Sequence, residues 1–444
     1  MWLLALVVAC GGAPAAREGR VVVLGLDGLE HSLLDRMMAA GDLPNFQALA
    51  REGARADMRV TEPIMSPILW TTIASGYPGE KHGIGGWTTG RGHAYSGADV
   101  RALRIWDVLT AANEPSVVSG WLMTWPATPI RGSMLSERFV WSFPMNKDPN
   151  ERSAQAAPLA LSGTTSPPSL ADRASALRPD DAWIAAHPLA YQVQEYGAPF
   201  HPLIRDETHL RVFESTWPGS EARFGAVYLN GADQVSHLYW PFVDPAAREK
   251  IRKDPEARVA AAAAERKEGR RAYPYADRVD ALDAGATWVP DYYRYLDTAL
   301  GRVRAVLAPD TTLIVCSDHG FRESSAQPLL NGSHNDIAAF YAVGPRVRAG
   351  ARAEVHVFDV APTIYTLLGH PVAADMPGGL MDTLFDLPAA PTPVSTRLIE
   401  RPSLAPSESG DLADDQLRAQ LQALGYLDEE GRPDAAIGAS RRER

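Results

Sequence analysis

Three aspartates in this chain stand at or just past the ends of apolar runs, with three histidines close enough in sequence to join them, an inventory that suits a pair of divalent metal ions. Asp27 closes "RVVVLGLD", Asp233 lies just past "FGAVYLNG", and Asp318 ends "TTLIVCSD". His319 is adjacent to Asp318, and His334 follows in "NGSHND". His237 comes four residues after Asp233, which puts both side chains on one face if a helix begins there. Taken singly, each has a bland reading: a turn or cap for the aspartates, a satisfied core imidazole for His319, a surface loop for His334. Taken together they form the ligand set of a two-metal site, since imidazole and carboxylate both suit Zn²⁺.

The stretch "TEPIMSPILWTTIASG" adds a nucleophile candidate, Ser66, directly before Pro67. Ser at N-cap and Pro at the first helical position is a common way to start a helix, so capping explains the pair by itself. Capping does not bar chemistry. The helix dipole favours negative charge there, and a nearby divalent ion lowers the hydroxyl pKa, which brings a serine alkoxide within reach near neutral pH. Both readings are open at this level.

These residues need elements that bring them together. "RVVVLGLD", "PSVVSGW", "FGAVYLNGAD" and "TTLIVCSDHG" read as buried strands, with amphipathic helical segments such as "LEHSLLDRMMAAG", "LPNFQALAREG", "DVRALRIWDVLTAA" and "ETHLRVFEST" between them. The alternation predicts an α/β domain over about 20–385, with a mainly parallel sheet covered by helices on both faces. Such sheets bind ligands at the carboxyl ends of their strands, where all three aspartates fall. Two stretches break the alternation, about 143–204 and 244–286, and are expected to be insertions that act as lid or cap elements or run as solvated excursions. Past about residue 386 come a Pro-rich linker, a short helix in "DDQLRAQLQALGYL" and a polar tail expected to be disordered.

The 444 residues carry a formal net charge of −11 without a sustained Lys/Arg block, which argues against a nucleic acid polymer as partner. With only Cys10 and Cys316, a disulfide framework is excluded. The opening "MWLLALVVACGGAPAAREG" holds an apolar run much shorter than the roughly 20 residues that span a bilayer, and it reads as a signal segment over 1–19. "VVAC" followed by "GG" resembles the lipobox of bacterial lipoproteins, in which the Cys is lipidated and becomes the mature N-terminus. Two features depart from that pattern: no Lys or Arg precedes the run, and Val7 stands where Leu is usual. The resemblance implies an exported periplasmic or cell-surface lipoprotein held to a membrane through Cys10, against a plain secretory signal or a misplaced start.

The motifs "GLDG", "LPNFQALAREGA", "SPILWTTIASGYPGEKHGI", "NGADQVSH", "CSDHG", "GSH" and "VFDVAPTIYTLLGHP" occur in an order that resembles the alkaline phosphatase superfamily. The likeness is to its type I phosphodiesterase/nucleotide pyrophosphatase branch and the bacterial phosphohydrolases close to it. It covers about 20–140 and 205–385. The resemblance implies that Ser66 is the nucleophile that becomes a covalent phosphoryl-enzyme. It further implies that Asp27, Asp318 and His319, with Ser66 itself as a ligand, hold the metal that activates Ser66, and that Asp233, His237 and His334 hold the second. Zn²⁺ is the usual metal in such relatives, and Mn²⁺ occurs in some.

Departures bear on substrate. Trp87 stands near the place where nucleotide pyrophosphatases carry an Asn that contacts the phosphate, and Ile68 and Trp70 occupy positions where a sulfatase needs Pro and Arg. Trp70, Trp87, Trp121, Trp125 and Trp240 read either as an aromatic wall around the site or as core. The expected activity is cleavage of phosphodiester or pyrophosphate bonds in a small phosphorylated substrate. Phosphomonoester hydrolysis on the same site is the alternative, and a catalytically silent ligand-binding lipoprotein is the rival of another class.

Overall fold

A computed structural model of the chain describes residues 19–89, 94–140, 162–192, 202–267, 282–323 and 332–399. Cys10 and the helix expected in "DDQLRAQLQALGYL" lie outside the described residues. Among the described residues no helix is long and apolar enough to cross a membrane.

The strands are β1 (Arg20–Leu26), β2 (Ala54–Arg59), β3 (Ser116–Ser119), β4 (Gly132–Leu135), β5 (Thr165–Ser166), β6 (Phe224–Leu229), β7 (Thr311–Cys316), β8 (Gly320–Glu323), β9 (Gly332–Asn335), β10 (Ile337–Val343) and β11 (Arg352–His356). A nine-stranded sheet runs β11-β2-β10-β7-β1-β6-β3-β4-β5, and β8 and β9 form a separate hairpin. From β7 to β4 every pairing is parallel, while β10 is antiparallel to both of its neighbours and β5 to β4. This is the expected α/β architecture with antiparallel additions.

Seven helices position the site: α1 (His31–Ala39), α2 (Pro44–Glu52), α3 (Ser66–Ser75), α4 (Pro202–Thr216), α5 (Gly231–Val243), α6 (Leu282–Ala305) and α7 (Val360–Leu367). Strand β1 shows why both sheet faces are covered. Val21 and Val23 point into a core shared with α3 and α7, whereas Val22, Leu24 and Leu26 point into a second core shared with α1, α2, α4, α5 and α6. A strand apolar on both faces is stable only between two helical layers.

The described part of the stretch expected to be the first insertion contributes to the sheet. Its Thr165–Ser166 segment pairs with β4 and closes one edge of the main sheet, before the helices Leu170–Ala176 and Asp181–Ala186. The second insertion supplies the helices Pro245–Lys253 and Pro255–Lys267.

Candidate metal centre

The order β7-β1-β6 sets three ligand-bearing strand ends side by side. Asp27 follows β1, Asp318 and His319 follow β7, and Asp233 lies in the first turn of α5, which begins just past β6. Gly28 lets the loops close up: it takes φ of +71°, and a Cβ there would sit 2.9 Å from the Asp233 Cα. Helix α5 carries His237 one turn beyond Asp233, and the two side chains meet, with His237 Nε2 3.3 Å from Asp233 Oδ1. His334 enters from β9; its segment is a strand of the small hairpin, where the sequence suggested a loop.

The ligand atoms converge in two groups. In the first, His319 Nε2 is 3.3 Å from Asp27 Oδ1 and 3.5 Å from Asp318 Oδ2. In the second, Asp233 Oδ1 is 3.3 Å from both His237 Nε2 and His334 Nε2, and those two nitrogens are 3.0 Å apart. His319 Nε2 lies between the groups, 3.7 Å from Asp233 Oδ1. A tetrahedral zinc ion with bonds near 2.0 Å spaces its ligands about 3.3 Å apart, so both groups have the dimensions of a coordination shell.

Hydrogen bonding says the same. Both oxygens of Asp318, Oδ1 of Asp233 and Nε2 of His319 are buried and make no hydrogen bond among the described residues. Buried polar atoms without partners are costly, and a cation between them removes that cost. The Nδ1 atoms of His319 and His334 face the carbonyls of Gly320 and Ile64 at 3.1 and 3.0 Å, which turns the Nε2 atom of each toward the cluster. The donor set therefore fits two divalent ions.

Charge adds a pH dependence. Burial, and then the charge of Asp27, pushes the Asp318 carboxyl well above its usual range. Burial alone would depress His319, but Asp318 and Asp27 outweigh it and raise the imidazole to about 10. Protons on these two groups compete with metal at neutral pH, so uptake releases them. Metal affinity should rise from pH 6 to pH 8, about tenfold per unit for each proton displaced; competition titrations with a chelator at the two pH values test this, and a flat profile contradicts it.

Ser66 answers differently from its capping reading. Met65, extended at φ −136° and ψ 126°, is the N-cap; Ser66 is the first helical residue, and no side chain caps α3. The hydroxyl is turned to Asp27 instead, with Oγ 3.5 Å from Oδ1, and the residue is 1% exposed. Pro67 then occupies the second helical position, where its missing N–H also costs nothing.

Two side chains given no metal-site role by the resemblance hold Asp27. Trp70 Nε1 donates to Oδ2 at 3.1 Å, and the Tyr228 hydroxyl, from β6, donates to the same oxygen. Burial and the Asp27 charge raise the Tyr228 pKa far above its ordinary value, so the phenol stays a donor. Oδ2 is thereby saturated and Oδ1 faces Ser66 and His319. Trp70 is one turn after Ser66 on α3, so its bond to Asp27 also sets the rotation of the helix that aims the serine. Gly25 makes room for it, because a Cβ there would be 2.7 Å from the Trp70 ring. Tyr228→Phe removes only the hydroxyl; metal affinity should fall about 10- to 100-fold with the fold intact, and unchanged affinity would reduce Tyr228 to packing.

Glu30 anchors the hairpin. Its Oε2 accepts from the Phe321 backbone N–H at 3.0 Å and from Asn335 Nδ2 at 2.7 Å, which ties the Asp27 loop to the residues flanking His319 and His334. The five tryptophans are all buried: Trp70 and Trp121 at 0 and 2%, Trp87, Trp125 and Trp240 at no more than 9%. Trp70, Trp87 and Trp121 belong to one core and Trp240 to the other.

The type I phosphodiesterase/nucleotide pyrophosphatase family model matches residues 21–360. The chain belongs to that family. Among solved structures, murine ectonucleotide pyrophosphatase/phosphodiesterase 5, an inactive form in complex with AMP, is 14% identical over 83% of this chain and 100% of its own, with a TM-score of 0.46. A putative sulfatase from Bacteroides thetaiotaomicron is 11% identical over 82% of this chain and 74% of its own, at a TM-score of 0.50. Phosphonoacetate hydrolase from Sinorhizobium meliloti is 16% identical over 70% and 59%, at 0.39. No curated protein matches the chain. Family membership and the two clusters support a metal-dependent hydrolase acting on phosphate-group substrates.

Proposed function

We propose that this family member cleaves phosphodiester or pyrophosphate bonds through a phosphoserine intermediate on Ser66. The observation that carries the reading is the placement of the Ser66 hydroxyl: buried, in the first turn of α3, and 3.5 Å from the Asp27 oxygen that belongs to one metal cluster. Asp27, Asp318 and His319 would hold one ion, and Asp233, His237 and His334 the other. Bound there, the ions would lower the serine pKa and neutralise charge on the attacking and leaving oxygens of an in-line displacement.

The chain's own part follows from geometry. Ser66 Oγ attacks phosphorus from the positive end of α3 as the bond to the leaving oxygen breaks, which gives a phosphoserine. Water then attacks the same phosphorus and restores the hydroxyl. Two in-line inversions give net retention. Trp70 and Tyr228 keep Asp27 in one orientation throughout, and the buried walls keep bulk water from the serine.

The test is elemental analysis of the purified protein, alongside hydrolysis of bis-p-nitrophenyl phosphate and p-nitrophenyl phosphate with and without chelator. About two metal ions per chain with chelator-sensitive diester cleavage supports the reading. A monoester preference on the same two ions transfers it to a phosphomonoesterase. No metal and no turnover after reconstitution leaves a ligand-binding protein. Attachment to a membrane through a lipid on Cys10 is part of the proposal: Cys10→Ser should move the protein into the soluble fraction, and retention on membranes would place the anchor elsewhere.

A further inference from the structure

Asp233 and His237 reach the second cluster from one short element, the first two turns of α5, so their position depends on how that helix begins. The first amides of a helix have no partner within it, and an Asn at the N-cap ordinarily supplies one from its own side chain. Asn230 stands at the N-cap of α5 and makes no such bond. Its Oδ1 accepts from Arg205 Nη2 instead.

The cap comes from another helix. Asp206, near the start of α4, spans the gap with both carboxylate oxygens: Oδ1 accepts from the Asn230 backbone N–H at 3.1 Å and Oδ2 from that of Gly231 at 3.0 Å. Tyr292, on α6, donates its hydroxyl to the same Oδ2 at 2.8 Å. Gly231 lets the three helices meet this closely, because a Cβ there would be 1.8 Å from the Tyr292 hydroxyl oxygen. Asp206 and Tyr292 are both fully buried.

Burial pushes the Asp206 carboxyl up to about 6, against the opposing pull of the Arg205 charge, the Tyr292 hydroxyl and the two amides, so it is ionised at neutral pH. A carboxylate that accepts from two amides and a hydroxyl in a dry setting is held firmly, and the helix dipole favours its charge at the start of α5. The ligands of the first cluster are placed by other means. Asp27 and the Asp318–His319 pair follow β1 and β7, which pair directly with each other.

We infer that Asp206 is a positioning residue of the second ion site: by capping α5 from α4, it sets the rotation and depth at which Asp233 and His237 meet His334. The inference rests on the assignment of those three ligands under the proposed function, and it adds a residue that lies outside every shared motif.

The experiment is titration of Co²⁺ into the full-length protein stripped of metal, followed by visible absorption and by competition with a chelator, which reads each binding step without turnover. Asp206→Asn keeps the size of the side chain but removes the charge and one of the two acceptor oxygens. One step, the same one that Asp233→Ala abolishes, should weaken roughly 10- to 100-fold, the loss typical of a residue that orients metal ligands, while the other stays within about twofold of wild type. Raising free Co²⁺ should refill the weakened site, since Asp233, His237 and His334 are all present. Tyr292→Phe removes one donor and leaves the carboxylate, so it should weaken the same step by about 2- to 10-fold. Two steps of wild-type strength in folded Asp206→Asn overturn the inference and leave the proposed function standing. Two steps weakened by one common factor also overturn it, since Asp206 would then support only the fold as a whole. If Asp206→Asn does not fold, Tyr292→Phe decides, and wild-type binding there overturns the inference. A wild type with fewer than two binding steps removes the second ion site and the inference with it.

Discussion

Ser66→Ala should cut turnover of bis-p-nitrophenyl phosphate by at least about 10⁴-fold and leave metal content near that of the wild type. The size follows from what is removed: without the hydroxyl no covalent intermediate forms, and what remains is whatever direct attack by water the site can support. The metal content follows from geometry. Asp27 and His319 keep their positions when Oγ is deleted, because Trp70 and Tyr228 hold the first and the Gly320 carbonyl the second, and the Ser66 contact with Asp27 is the long one. Stability should change little, since the 3.5 Å contact with Asp27 is long for a hydrogen bond and the helix begins at Met65 without help from the serine side chain. Acid-quenched wild type incubated with radiolabelled substrate should carry phosphate on the Ser66 peptide, and the variant none. Wild-type turnover in Ser66→Ala would end the assignment. A variant that loses both metal and activity would instead make Ser66 a structural ligand.

Much of this site was legible in the residues because chemistry and strand ends coincide. Asp27, Asp233 and Asp318 each close an apolar run, and an acid at the carboxyl end of a buried strand stands out. What the chain alone did not give is that β7, β1 and β6 are consecutive neighbours, which is what brings the three aspartates to one edge of the sheet. Strand β10, "IAAFYAV", was missed because its alanines carry little strand signal, although they pack against the core between β2 and β7. His334 looked like a loop residue because "GSHN" has no apolar pattern; the strand exists because it pairs with β8 and is clasped by Glu30. Ser66 was misplaced by one helical position, since a Ser-Pro pair fits equally at N-cap and N1 or one step further in. Tyr228 gave no warning and Trp70 only an undecided one, wall or core, because in an apolar run an aromatic ring reads as core and its polar tip is silent until the fold shows what it meets.

The second large effect belongs to Asp233. Its Oδ1 lies within 3.7 Å of three imidazole nitrogens, those of His237, His319 and His334, and it is the anionic member of the second group. Burial would raise its pKa, yet the positive charge that His237 can carry holds it well below the usual carboxylate range, so the carboxylate is ionised and ready to bind at any neutral pH. Asp233→Ala leaves His237 and His334 as two imidazoles 3.0 Å apart with no carboxylate beside them, too few to hold an ion against water at ordinary concentrations. Metal content should fall from about two ions per chain to about one, retained by Asp27, Asp318 and His319. The exposed Glu354→Ala, which loses only a surface pair with Arg59, should keep two. Elemental analysis of both variants, with circular dichroism to verify folding, decides it; two ions in folded Asp233→Ala would remove the residue from the site. The outcome also bears on mechanism. In-line displacement assisted by two ions needs one at each of the attacking and leaving oxygens, so a one-ion variant should lose turnover by orders of magnitude even with Ser66 and its partners in place. Full diester cleavage by a folded protein with a single ion would make the Asp27 group sufficient and leave the Asp233 group without a catalytic part.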